Sequence, residues 1–96
     1  MKKTNLSLDH KDVIYANQYL LEKILIRLSL VPWSSESILF QINTEIKSNF
    51  WDSEFVFYLL NISLVNDNDL KCPVEKMLTL GKSESMRRIR YYVLRS

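Results

Sequence analysis

Asp52-Ser53-Glu54-Phe55-Val56-Phe57-Tyr58-Leu59-Leu60-Asn61-Ile62-Ser63 is the stretch whose reading decides the fold class. Its interior run, Phe55 to Leu60, suits either a buried strand or a buried helix, because periodicity alone cannot separate the two. The flanks favour helix. Asp52 is an N-cap residue type, since its carboxylate can accept from an unpaired amide of a first helical turn, and twelve residues exceed the usual strand length. With this segment helical, every other apolar stretch of the chain also reads as helix, and the expected class is all-α.

Upstream, Asp9 can cap a helix from about Lys11 to Ser29. Ile14, Leu21, Leu25 and Leu28 form one line on it, and Val13, Ala16, Leu20 and Ile24 an adjacent one. Such a wide stripe means that the helix is central to the core or packs on two neighbours. Pro32 ends it, because proline disfavours helical backbone in the residue before it. Ser34 or Ser35 then caps a helix to about Lys47 that buries Ile38, Leu39, Ile42 and Ile46. Trp33, Phe50 and Trp51 flank helix ends and are expected to anchor in the core. Residues 1–8 read as a flexible lead-in, and residues 9–48 as an N-terminal helical pair.

Downstream, Asn66-Asp67-Asn68-Asp69 is a turn. Pro73 suits the first position of a short helix that Gly81 ends. The remainder, Lys82 to Ser96, is a basic amphipathic helix with Ser83 as its expected N-cap and Glu84 at the positive end of its dipole. Met86, Ile89 and Val93 share its apolar stripe, with Ser85 and Tyr92 at the edge. Arg87, Arg88, Tyr91 and Arg95 fall opposite, and Arg90 borders the stripe. The expected architecture is one compact bundle of about five helices within residues 1–96.

Charge is distributed unevenly. Residues 81–96 carry five Lys/Arg against Glu84, a net +4, whereas residues 1–80 carry eight Lys/Arg against ten Asp/Glu, a net −2. A basic end on a mildly acidic body points to a polyanion or an acidic partner.

The segments Asp52 to Leu60, Met77-Leu78 and Ser83-Glu84-Ser85-Met86-Arg87-Arg88-Ile89-Arg90 together resemble small phage and mobile-element proteins of winged-helix-like or helix-turn-helix fold. In those, an acidic D-D-F-L-L-Y-L helix and a short linking helix precede a terminal P-E-S-I-R-R-A-R-R-K-I-Q helix. The likeness spans residues 50–95. Here Ser83 replaces the proline and Tyr91-Tyr92 replace the last basic pair, which lowers the charge. The resemblance implies a helix-turn-helix-like half over residues 50–96 and a regulator that binds duplex DNA, acting as a dimer. Arg87, Arg88, Tyr91 and Arg95 would touch phosphates or purine edges, and Lys82 the backbone near the helix start. With the sequence ending at Ser96, no β-hairpin wing is expected. The alternative is a protein–protein module of the same origin that inhibits a host nuclease or defence complex.

Other chemistries find little to work with. Asp67 and Asp69 open a calcium-like loop, but Cys72 stands where the loop needs glycine and Leu78 where it needs glutamate. His10 and Cys72 are too few soft ligands for zinc, and the lone cysteine reads as a small buried hydrophobe. One glycine in the whole chain leaves no phosphate-cradling loop. No catalytic residue, metal or cofactor is expected, and the protein reads as non-enzymatic. No apolar run has the length of a membrane span, and Asp9-His10-Lys11-Asp12 interrupts any signal-peptide core, so the expected location is the cytoplasm of a bacterial host.

Overall fold

A computed structural model describes residues 17–67 and 69–94. Over these residues the chain is all-helical. It forms α1 (Gln18–Ser29), α2 (Ser35–Asn49), α3 (Ser53–Val65), α4 (Val74–Leu80) and α5 (Lys82–Leu94). The expected start of the first helix at Asp9 to Ala16 lies outside the described residues.

The deciding stretch is α3. The Asp52 side chain accepts from the Phe55 amide at 2.9 Å, and Asn66 ends the helix in left-handed backbone. Asparagine tolerates that conformation through local hydrogen bonding of its short amide. Val56, Leu59, Leu60, Ile62 and Leu64 are buried, so apolar side chains point in several directions at once. A helix apolar nearly all round belongs in the middle of a bundle. That is where α3 sits, between α2 and α5.

α1 and α2 form an antiparallel hairpin across residues 30–34. Ser34 caps α2 by accepting from the Ser37 amide at 3.2 Å. Leu20, Leu21, Ile24, Leu25 and Leu28 of α1 are all buried, as the wide stripe requires. Between the two helices, the Arg27 guanidinium binds the buried Glu45 carboxylate and, at 3.1 Å, Gln41 Oε1. Asn49 Nδ2 adds a 2.8 Å bond to the same carboxylate. Burial alone would raise the Glu45 pKa, but these donors outweigh it and hold the pKa below the ordinary value.

α5 runs antiparallel to α1. Gln18 Nε2, at the start of α1, donates to the Tyr92 carbonyl at 2.6 Å, while Lys82 Nζ reaches the Ser29 carbonyl at 3.4 Å from the other end. α5 also packs on α3 and α4. Met77 joins these parts. Its carbonyl accepts from the Gly81 amide at 2.9 Å, Trp33 Nε1 at 3.1 Å and Ser85 Oγ at 3.1 Å. One backbone oxygen thus ties the α1–α2 loop, α4 and α5 together.

Several expectations of detail fail, each for a local reason. Pro73 is the N-cap of α4, one residue before the helix. Ser83 lies inside α5, because the Gly81 carbonyl already accepts the first helical bond from the Ser85 amide. Leu39 is exposed, since the buried face of α2 is the narrow one of Ile38, Ile42, Glu45 and Ile46. Phe50 is 94% exposed: it closes α2 in left-handed backbone (φ 57°), which turns its ring outward, while Trp33 and Trp51 do pack against the core. Cys72 is exposed as well, because the chain enters α4 by burying Pro73 and Val74.

Candidate nucleic-acid interface

Gly81 makes the junction between α4 and α5. Its φ of 87° and ψ of 166° lie in a region that L side chains avoid, so one residue ends α4 and redirects the chain into α5. α5 then presents a buried face of Ser85, Met86 and Ile89, with Tyr92 and Val93 partly covered. The buried serine is satisfied by the Met77 carbonyl. Met86, Ile89 and Val93 line this face as expected, with Ser85 fully buried beside them and Tyr92 at the edge.

The basic residues of α5 differ in what they meet. Arg88 swings to the side of α5 that faces α3. Its Nη1 donates to the Leu64 carbonyl at 2.5 Å and its Nε to Glu84 Oε2 at 2.6 Å. A cation at the C-terminal end of a helix, on one of its last carbonyls, is favoured by the dipole. Arg88 is therefore committed to holding α3 against α5, and its expected outward position is corrected. Arg90 moves the other way. It is fully on the exposed side and has no ion pair among the described residues.

The outer ridge of α5 consists of Ser83, Arg87, Arg90 and Tyr91. The Arg87 side chain is 68% exposed but engaged by Glu84 of its own helix. Its Nε donates to Glu84 Oε1 at 3.1 Å, and its Nη2 bonds Glu84 Oε2. These hydrogen bonds, first from Arg87 and then from Arg88, lower the Glu84 pKa from 4.5 to about 2 and raise that of Arg87. Tyr91 is 48% exposed and meets the Tyr92 ring edge-on at 5.1 Å between centroids. Lys82 is exposed at the start of the ridge. Arg95 lies outside the described residues.

Of the five residues expected at this interface, Lys82, Arg87 and Tyr91 are exposed on α5, and Arg88 is turned inward. Arg90, expected at the border of the apolar stripe, is exposed. Among the described residues, no group of three or more His, Cys, Asp or Glu comes together as a metal would require. None of their helices is long and apolar enough to cross a membrane. Comparison with protein-family models, curated proteins and solved structures finds no match to this chain.

Proposed function

We propose that this chain is a small non-enzymatic DNA-binding protein of the phage or mobile-element kind, in which α5 lies against duplex DNA. The supporting observation is the outer ridge of α5, where Arg87, Arg90 and Tyr91 share one exposed face with Lys82 at its head. Guanidinium groups match phosphate and purine edges in a planar fork, and the half-exposed Tyr91 adds an aromatic ring beside them. The described part of α5 holds Lys82, Arg87, Arg88 and Arg90 against Glu84 alone. Its field is positive even with one carboxylate on the ridge. The exposed Arg87–Glu84 pair still leaves Arg87 open to contact, because such a pair is weak in water and a phosphate can replace the carboxylate.

With about three phosphate contacts, from Lys82, Arg87 and Arg90, the affinity for duplex DNA should fall with a log–log salt slope of about −3. The test is a mobility shift on random duplex at about 50 and 200 mM salt, comparing wild type with the Arg87→Ala/Arg90→Ala variant. Binding at low salt that the double variant loses supports the reading. No shift at low salt, or an unchanged double variant, ends it.

A second reading, a protein–protein module acting on a host nuclease or defence complex, is favoured by a different observation. Phe50 projects into water, and the outer face of α1 exposes Tyr19, Ile26 and Leu30. Grouped apolar side chains on a small protein are what a partner surface offers. Capture of a host complex that Phe50→Ala or Leu30→Ala abolishes, with no DNA shift, would select this reading.

A further inference from the structure

The arrangement around Glu84 has an effect on binding that its role in the helix does not require. The carboxylate takes two hydrogen bonds from the Arg87 fork and one from Arg88 Nε. Arg88 is itself fixed by its 2.5 Å bond to the Leu64 carbonyl. Leu64, Arg88, Glu84 and Arg87 therefore form one chain of contacts running from the end of α3 to the outer ridge of α5. When Arg87 turns to a phosphate, the bond from Arg88 keeps the Glu84 carboxylate beside the guanidinium.

We infer that Glu84 is a built-in competitor for the phosphate at Arg87: an anchored carboxylate that occupies the guanidinium fork where a DNA phosphate would sit and so holds down affinity for duplex of any sequence. Carboxylate and phosphate present the same bidentate oxygen pair to an arginine, so the two compete for one geometry. Phosphate contacts carry no sequence information, and weakening one leaves recognition more dependent on what Arg90 and Tyr91 touch. This inference rests on the DNA-binding reading above.

Glu84→Gln tests it, with Glu54→Gln as a control that removes the same charge from the first turn of α3, where Glu54 is exposed and has no ion pair among the described residues. Duplex affinity is measured by fluorescence anisotropy across a salt series, with helicity checked by circular dichroism. Glu84→Gln should bind roughly three- to ten-fold tighter at low salt and keep the salt slope at about −3, since Arg87 meets phosphate in both proteins and only the competing carboxylate is lost. Adding Arg87→Gln should erase that gain, while Glu54→Gln should stay near wild type. Wild-type binding with Glu84→Gln no tighter than Glu54→Gln overturns the competitor role and leaves the DNA reading standing. Absence of binding by every variant overturns both, and binding by Glu84→Gln alone supports both.

Discussion

Arg88 Nη1 lies 2.5 Å from the carbonyl oxygen of Leu64, so a residue of the basic helix closes the last turn of α3. The same guanidinium holds Glu84, and its side chain is only 35% exposed. Arg88→Ala should therefore act on stability. It strips a charged donor from a helix-end carbonyl and leaves Glu84 to Arg87 alone, at a cost of about 1–2 kcal/mol in urea unfolding. In folded protein its effect on DNA affinity should be smaller than that of Arg90→Ala. The opposite ranking would return Arg88 to the interface.

Asn61 is completely buried in the middle of α3 and organises the loop after it. Its Nδ2 donates to the carbonyls of Asp69 and Lys71 at 3.0 and 2.8 Å, and its Oδ1 accepts from Lys76 Nζ at 2.7 Å. Lys76 also pairs with Asp69 at 3.1 Å. Asn61→Ala should cost about 2 kcal/mol, because three partners lose a buried bond together. Tryptic cleavage after Lys71 should accelerate well before the helices unfold. Unchanged cleavage would show that the loop holds itself.

Two left-handed or extended positive-φ positions predict substitutions of opposite sign. At Gly81 a Cβ would meet nothing within 4 Å, so Gly81→Ala is penalised by the backbone alone, about 1–2 kcal/mol. At Phe50 the side chain is out in water and the backbone has φ 57°. Glycine is favoured at that position after a helix, and Phe50→Gly should stabilise by about 0.5–1 kcal/mol net of the entropy it adds to the unfolded chain. Thermal unfolding of the two variants, shifting down and up respectively, checks both.

Acid should act on the α5 ion pairs in a defined window. The folded-state pKa of Glu84, about 2, is below its ordinary 4.5. Its stabilising contribution is present above about pH 4.5 and is lost as pH falls towards 2, where the folded state too takes up the proton. Glu45 and Asp69 shift in the same direction, Asp69 through the Lys71 amide and the Lys76 ammonium. The difference in melting temperature between wild type and Glu84→Gln isolates one residue. It should be constant above pH 5 and shrink steadily below pH 4.5. A difference that persists at pH 2 would mean the bonds to Arg87 and Arg88 do not form in solution.

Helix positions were legible in the sequence because they depend on local chemistry. Asp52 and Ser34 have side-chain oxygens that satisfy first-turn amides, Pro32 and Pro73 restrict their neighbours, and Gly81 alone tolerates its φ. Leu20, Leu21, Ile24, Leu25 and Leu28 recur at the spacing that lines a helix face, and all are buried. Burial that depends on a partner far along the chain was not legible. Leu39 and Ile42 look alike in sequence, yet only Ile42 is buried. Cys72 and Phe50 were assigned to the core on residue type, and the turns that contain them point outward.

By itself, the sequence determined that this chain is helical, where its helices stop, and that its positive charge gathers at one end. Caps, breakers and periodicity act within a few residues, and so does the count of charges. Only the tertiary structure decided which arginines face water. That choice is set by Ser85 donating to the Met77 carbonyl and Arg88 to the Leu64 carbonyl. Neither acceptor is within reach until α3 and α4 have packed, so the identity of the exposed ridge is a property of the fold.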